Sequence, residues 1–315
     1  MKVMIIGAGP LGCLYAHLFS EAKVDVTLLA RGRRYELLKN NGLELMDEHT
    51  GSKYHSHIQL ASELKPDDEY ELVIVIVRKN RLQPLFETLA ACTKVKNILF
   101  MGNNALGFEE YLHHLPAEKI LFGFPSAGGG FKNDVVHYVD REKAGAARKA
   151  VTIGELDGKT RERTLAIKAT FEKSGIPVSL VEDIDGWLKY HLALILPLVC
   201  ALYKHDSDNY ALAKDDETIR LIIRATNECG QMLAALGHTK RQPYVKFTLL
   251  YWLPEFLNAF ALRKLLNSTF AEIGFSLHAR SARDEMGELA TELQSLKEKT
   301  TVEMPNFDTL VSYLG

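Results

Sequence analysis

The chain has 315 residues, of which 47% are hydrophobic and 25% are charged, and its formal net charge is -2 at pH 7. This composition is typical of an ordinary globular protein, and the length is sufficient for two domains. The near-neutral charge gives no reason to expect nucleic acid or an acidic membrane as a partner.

The four cysteines lie far apart in the chain and form no C-x-x-C pair. Their spacing argues against a zinc site or a disulfide framework and is typical of a reducing compartment. The apolar N-terminus is interrupted by Gly7, Gly9 and Gly12 and is not followed by a small-residue cleavage site, which argues against a signal peptide. We therefore expect a cytoplasmic protein without a metal site.

The later stretch 190–203, "YHLALILPLVCALY", is apolar throughout. It is too short to span a bilayer and contains Pro197. We interpret it as a buried helix, and we expect no membrane partner.

The first hundred residues alternate between apolar runs and stretches with helical spacing. Continuous apolar runs predict buried strands, and apolar residues three to four apart predict helices. The predicted strands are 2–7, 24–30, 70–77 and 96–101, and the predicted helices are 11–22, 35–42 and 82–92. This alternation predicts βαβ units in a Rossmann-type, doubly wound α/β sheet.

The pattern changes after residue 119. Three segments, 119–131, 134–140 and 149–156, are predicted as strands at the antiparallel edge of the same sheet, followed by a helix over 160–175 and a strand over 176–183. The remaining predicted elements are all helices, at 187–203, 213–236, 241–266 and 282–299. We therefore predict an NADP-binding Rossmann-type domain over 1–184 and an all-α substrate or dimerisation domain over 185–315.

A G-x-G-x-x-G motif at Gly7, Gly9 and Gly12 follows the first predicted strand and opens the first predicted helix. In this context the glycines allow a tight turn, close approach of the pyrophosphate and close packing of the helix on the strand. Pro10 and Leu11 lie inside the motif and join the predicted contacts. The alternative is a glycine-rich turn without a ligand, but strand, motif and helix in register favour a dinucleotide.

Arg31 directly follows the second predicted strand, where an acid would bind the ribose 2′-hydroxyl of NAD. A guanidinium there would instead bind a 2′-phosphate, and such a charged hydrogen bond contributes about 1.5–3 kcal/mol. Arg33 and Arg34 follow directly. The alternative is a solvated basic turn, but the position of the arginines favours NADP(H) as the cofactor.

Three further stretches hold candidate polar groups. Asn103 and Asn104 follow the strand at 96–101, and side chains at that end of a parallel strand face the ligand crevice; the alternative there is turn chemistry. Lys189 begins the second domain, and His278 and Glu285 would share one face if they lay on a continuous helix. From spacing alone we expect Lys189 to be a solvated side chain, and His278 and Glu285 to lie on a solvated helix face.

The ordered segments "GAGPLG", "LLARGRR", "NNALG", "WLK" and "DEMGEL" together resemble the ketopantoate reductase (2-dehydropantoate 2-reductase) family, and "GLELMDEHTG" and "VTIGELDG" add to the likeness. The resemblance covers nearly the whole chain in order and spacing. It implies a Rossmann domain followed by a helical domain, and reduction of a 2-keto acid by NADPH to a 2-hydroxy acid.

The resemblance also implies roles for individual residues. Lys189 corresponds to the general acid of the family, and Glu285 to its substrate-binding glutamate. Asn104 matches the asparagine of the asparagine-glycine loop, with Ala105 in place of the glycine. Arg78, with Lys79 beside it, replaces the lysine that often follows the third strand.

The chain departs from the family in the helix after Lys189. Ala193 and Pro197 lie near positions where the family has substrate-binding asparagines, whereas His191 and His278 are available to bind a different keto acid. Two functions other than 2-keto acid reduction are therefore kept as alternatives. One is an NADPH-binding sensor without catalysis, and the other is an opine-type dehydrogenase that reduces an imine. Helical second domains often pair, so a homodimer is a candidate assembly, although no stretch specifies one.

Overall fold

A computed structural model describes residues 1–125, 127–139, 150–239 and 253–314. These residues form two compact units. The first consists of Met1–Gly102 and Phe108–Ile184, and the second of Asn103–Gly107 and Asp185–Gly315. The short segment Asn103–Gly107 thus belongs with the helical half of the chain, although the residues on both sides of it belong to the first unit.

The first unit contains an eight-stranded sheet whose inner strands are apolar and buried. Its strands are β1 (Lys2–Ile6), β2 (Asp25–Leu29), β5 (Gln59–Ala61), β6 (Leu72–Val75), β7 (Ile98–Met101), β8 (Ile120–Phe124), β11 (Val151–Gly154) and β12 (Val178–Leu180). They lie in the order β12-β11-β8-β7-β6-β1-β2-β5. All neighbours are parallel except β8 and β11, and this arrangement confirms the predicted doubly wound sheet.

A second, four-stranded sheet was not predicted. Its strands are β3 (Leu43–Asp47), β4 (Lys53–Ser56), β9 (Gly129–Lys132) and β10 (Val135–Tyr138), in the order β4-β3-β10-β9. The prediction that 119–140 extends the edge of the main sheet is therefore wrong beyond β8. The hairpin of β9 and β10 pairs instead with β3, in parallel, through contacts between residues about ninety positions apart such as Val136 with Leu45.

The helices α1 (Pro10–Glu21), α2 (Gly32–Asn41), α3 (Gln83–Ala91) and α5 (Glu162–Lys173) lie where the apolar spacing predicts helices. The six-residue helix α4 (Glu109–His114) was not predicted. The apolar residues of α1, among them Cys13, Leu14 and Phe19, join the residues of β1 and β2 in one buried core.

The described part of the second unit is helical. Its helices include α6 (Ile184–Lys204), the one-turn α7 (Asn209–Leu212), α8 (Asp216–Ala235), and the helices Glu255–Leu266, Arg283–Lys297 and Pro305–Val311. Between residues 269 and 281 the chain forms α turns at Thr269–Ala271 and Leu277–Ser281 with a π turn, Glu272–Ser276, between them. Residues 240–252, which include the start of the predicted helix 241–266, lie outside the described residues.

Helix α6 is the core helix of the second unit. With 21 residues it is longer than the apolar stretch seen in the sequence, and by length and composition it could cross a membrane. However, 83% of its most apolar window is buried inside the protein. The interpretation of this stretch as a buried helix is confirmed. The prediction that it is too short to span a bilayer does not hold for the full helix.

Candidate active site

The glycine motif forms the turn between β1 and α1, and two of its glycines have no room for a side chain. Gly7 has φ of +117°, and a β-carbon there would lie 2.1 Å from the Ile76 carbonyl oxygen. A β-carbon on Gly12 would lie 1.9 Å from the Gly7 carbonyl oxygen. Both glycines are therefore required by close backbone packing.

Gly9 is different, because a β-carbon there would meet no atom within 4 Å. It precedes Pro10, the first residue of α1, so the open space lies at the N-terminus of that helix. Backbone N–H groups and the helix dipole favour an anion at such a position. The motif thus fits a dinucleotide pyrophosphate, with Pro10 and Leu11 in the first turn beside it.

Arg31 is the N-cap residue of α2 and is exposed. Its two basic neighbours are already engaged: Arg33 donates to the Asp134 carboxylate at 3.0 Å, and Arg34 donates to the Asp134 backbone oxygen at 3.1 Å. Within the described part of the chain, the Arg31 guanidinium makes no such ion pair. Of the three arginines, Arg31 is the one whose charge is available to a ligand.

The loop after β6 holds two basic side chains with different surroundings. Lys79 is 8% exposed, and its ammonium lies 3.2 Å from a Glu110 carboxylate oxygen and 5.0 Å from the centre of the Tyr111 ring. Arg78 is half-buried and caps the short 3-10 helix that begins at Lys79. Lys79 is thus held by its protein partners, and Arg78 stays the predicted cofactor contact after this strand.

The segment Asn103–Gly107 follows β7 and presents a buried amide. Asn104 is 2% exposed, and its Nδ2 donates to the Gly107 carbonyl oxygen at 2.6 Å, which fixes the orientation of the amide. Its Oδ1 is buried and has no hydrogen-bond partner in the described residues, and the same is true of Asn103 Oδ1. Buried oxygens of this kind are rare in native proteins and are suited to accept a ligand donor.

Lys189 lies in the second turn of α6 and is buried. The side chain is 8% exposed, and the ammonium pairs with the Asp185 carboxylate one helical turn earlier. A β-carbon on Gly107 would lie 3.8 Å from Lys189 Nζ and 3.5 Å from Asp185 Oδ1. The expectation of a solvated lysine is therefore wrong, because this ammonium lies beside the loop that carries Asn104.

Glu285 and His278 are also brought together, although not by a continuous helix. The chain breaks at Ala282, and His278 lies in the turn before the break while Glu285 lies in the helix Arg283–Lys297 after it. The His278 Nε2 and Glu285 Oε2 atoms are 3.9 Å apart. Glu285 is 4% exposed, so the expected solvated face is wrong for the carboxylate.

His191 occupies a different part of α6 from Lys189. Its ring stacks on Trp187, with centroids 5.1 Å apart and an interplanar angle of 4°. Residues four apart share a helix face, so Trp187 and His191 form one pair and Asp185 and Lys189 another. The structure does not bring His191 to the Lys189 side of the helix, and its role in substrate binding stays a prediction.

Two acidic residues near the Asn104 loop were missed in the sequence. Asp185 could have been found, because an acid four residues before a lysine on a predicted helix is a known pairing. Glu292, whose carboxylate accepts a hydrogen bond from the Ala105 backbone N–H at 3.0 Å, could not, since 187 positions separate the two residues.

The second unit thus places an ammonium, a carboxylate and a side-chain amide around one short loop. An ammonium can donate a proton, and amide and carboxylate oxygens can orient a polar substrate. The first unit holds a glycine turn with space for a pyrophosphate, and the Arg31 guanidinium, which has no ion pair among the described residues, lies at the N-cap of the next helix.

Comparison with known proteins finds similar sequences. The family model described as "Ketopantoate reductase PanE/ApbA" matches residues 3–158. The 2-dehydropantoate 2-reductase of Listeria innocua is 28% identical over 235 residues, which are 74% of this chain and 75% of that protein.

Solved structures share the fold over the full length. The 2-dehydropantoate 2-reductase of Geobacter metallireducens superposes with a TM-score of 0.79 at 18% identity, over 100% of this chain and 99% of that one. D-mandelate dehydrogenase, solved with NADH and anilino(oxo)acetate, gives 0.77 at 15% identity, over 100% and 97%. The glycine turn, the helical second unit and these relatives lead to one conclusion: the chain belongs to the ketopantoate reductase family.

Proposed function

We propose that this protein is an NADPH-dependent oxidoreductase that reduces a 2-keto acid to a 2-hydroxy acid. The observation that carries the proposal is the buried Lys189 ammonium beside the Asn104 loop. A buried lysine with a partner carboxylate is costly to maintain in a protein without a use for it. The family membership supports the same reaction class.

The first unit would bind the dinucleotide through its own groups. Gly9 leaves space for the pyrophosphate at the start of α1, and Arg31 offers a guanidinium to a 2′-phosphate. Arg78 follows the neighbouring strand β6 and adds a second positive charge. NADPH, when bound, supplies a hydride to the keto carbon.

Lys189 would act as the general acid. As the keto carbon becomes tetrahedral, its oxygen gains negative charge, and the ammonium both stabilises that charge and donates a proton to it. The product is a hydroxyl group, and Lys189 regains its proton from solvent. Asp185 would hold the ammonium in place through the pair already present in α6.

Binding of the substrate would fall to the remaining polar groups of the second unit. Asn104 Oδ1 can accept a hydrogen bond from a hydroxyl group of a keto acid that carries one, and Glu285 with His278 forms a further polar pair. Ala193, near a position of a family asparagine, is fully buried in the apolar core of the unit. We therefore leave the identity of the keto acid open, with ketopantoate as one candidate among several.

A single assay tests this proposal. NADPH absorbance is followed with a panel of 2-keto acids that includes ketopantoate, each alone and then with an added amine. Turnover with a keto acid alone supports the proposal, and turnover only with the amine supports an imine-reducing dehydrogenase instead. Stoichiometric NADPH binding without turnover on any member of the panel would favour a sensor and contradict the proposal.

A further inference from the structure

Glu292 is a buried carboxylate that has no role in the proposed reaction. It lies in the helix Arg283–Lys297 and is 6% exposed. Its Oε2 accepts the hydrogen bond from the Ala105 backbone N–H at 3.0 Å. A buried carboxylate is stable only with hydrogen-bond donors around it, so this contact is part of what allows Glu292 to be there.

Ala105 is also held by apolar packing, in addition to its hydrogen bond to Glu292. Its side chain is fully buried and belongs to the hydrophobic core of the second unit, together with residues of the same helix such as Leu289 and Leu293. The segment Asn103–Gly107 is therefore tied to the helical unit by both a polar and an apolar contact. These contacts explain why the segment belongs to that unit.

The contact between Glu292 and Ala105 lies next to the candidate catalytic groups. Asn104 directly precedes Ala105, and its amide bonds to the Gly107 carbonyl oxygen. Gly107 in turn has φ of +84° and lies against Lys189 and Asp185. A shift of the Ala105 backbone would therefore move both the Asn104 amide and the backbone that contacts Lys189.

We propose that Glu292 is a positioning residue, which holds the Asn103–Gly107 loop so that Asn104 faces the same side as Lys189. Its effect on loop order stands on the contacts alone, whereas its effect on catalysis rests on the proposed function. Misplacement of a binding group by about 1 Å is enough to lower a rate by about a hundredfold.

The first test measures loop order by amide hydrogen exchange, resolved at Ala105 by NMR. Glu292→Leu removes the acceptor with little change in volume, and we expect Ala105 to exchange at least tenfold faster. Glu292→Gln keeps an acceptor oxygen and should change that rate less than threefold. Glu288→Gln, at an exposed position of the same helix, is the matched control and should leave the rate unchanged.

The second test measures kinetics with the keto acid found in the screen. We expect Glu292→Leu to lower kcat at least tenfold with NADPH affinity unchanged within twofold, and Glu292→Gln to restore most of the loss. A purely structural role would instead lower the melting temperature and leave kcat of the folded fraction unchanged. That result, or wild-type kinetics in Glu292→Leu, would overturn the proposal.

The two tests separate this inference from the proposed function. If the wild-type protein reduces no keto acid, the proposed function fails, and the exchange rate at Ala105 still decides whether Glu292 anchors the loop. If Glu292→Leu does not fold, the amide exchange rate of Ala105 is measured in the wild-type protein instead. An Ala105 amide that exchanges as fast as an unprotected amide would contradict the inference that Glu292 holds the loop.

Discussion

The ammonium of Lys189 pairs with the carboxylate of Asp185, one turn earlier on α6. The second carboxylate oxygen, Asp185 Oδ1, is buried and has no partner in the described residues. This contact fixes the ammonium one helical turn from its partner and beside the Gly107 backbone. The pair therefore sets where the proton donor of the proposed reaction lies.

Asp185→Asn removes this negative charge with little change in shape. We expect a lower kcat, because the ammonium loses the charged partner that holds it in place. The rate constant is measured with saturating NADPH and keto acid. Asp206→Asn is a suitable control, since Asp206 is exposed and has φ of 51°, which asparagine tolerates. A wild-type kcat in Asp185→Asn would show that Asp185 does not position Lys189.

Arg31→Ala tests the choice of coenzyme. Loss of a charged hydrogen bond to a 2′-phosphate should weaken NADPH binding about tenfold or more, while NADH binding stays nearly unchanged. Titration calorimetry with both coenzymes measures this difference. Arg33→Ala is the matched control, because its guanidinium already pairs with Asp134. Equal effects on the two coenzymes would mean that Arg31 does not recognise the phosphate.

The glycine motif offers two substitutions with opposite expected results. Gly9→Ala places a methyl group where no atom lies within 4 Å, so the free energy of unfolding should change by less than about 1 kcal/mol. NADPH binding should nevertheless weaken at least tenfold, because the methyl group would occupy the space proposed for the pyrophosphate. Calorimetry and urea unfolding measure the two quantities.

Gly12→Ala should instead destabilise the fold, by about 1–3 kcal/mol or more, since its β-carbon would lie 1.9 Å from the Gly7 carbonyl oxygen. The pair of variants thus separates the ligand role of one glycine from the packing role of the other. Wild-type NADPH affinity in Gly9→Ala would remove the basis for placing the pyrophosphate there.

The sequence predicted what depends on local patterns. Strands such as β1 and β6 are continuous apolar runs, and α1 and α8 have clear helical spacing, so their positions could be predicted. The second sheet could not be predicted in the same way. Strand β4, with the sequence KYHS, is not an apolar run, and β3 and β10 pair across a long stretch of chain, which no local pattern records.

The same distinction holds for the candidate site. The residue types of Lys189, Asn104 and Glu285 are visible in the sequence, but their burial depends on distant contacts. Spacing alone favoured a solvated Lys189, and only packing in the second unit shows that it is buried. The His278–Glu285 contact occurs across a helix break, so the spacing argument gave the right neighbours for the wrong geometric reason.

Asp215 connects two helices of the second unit and makes their stability depend on pH. It is the N-cap residue of α8, and it accepts hydrogen bonds from the Thr218 N–H at 3.0 Å and the Lys204 ammonium at 2.9 Å. Burial alone would raise the pKa of Asp215, but the donors of Thr218 and Lys204 outweigh it and hold that pKa well below its usual range.

A carboxyl whose pKa is lowered by folding stabilises the protein above its unfolded pKa of about 3.9, and this contribution is lost as the pH falls towards the folded value. Asp215→Asn keeps a good N-cap but removes the charge, so we expect it to lower the free energy of unfolding by about 1–2 kcal/mol at pH 7. Urea unfolding at several pH values should show a difference from wild type at pH 7 that shrinks below about pH 4. Asp206→Asn should show no such dependence, and a difference for Asp215→Asn that persists unchanged at pH 3 would mean that the charge of Asp215 is not the stabilising group.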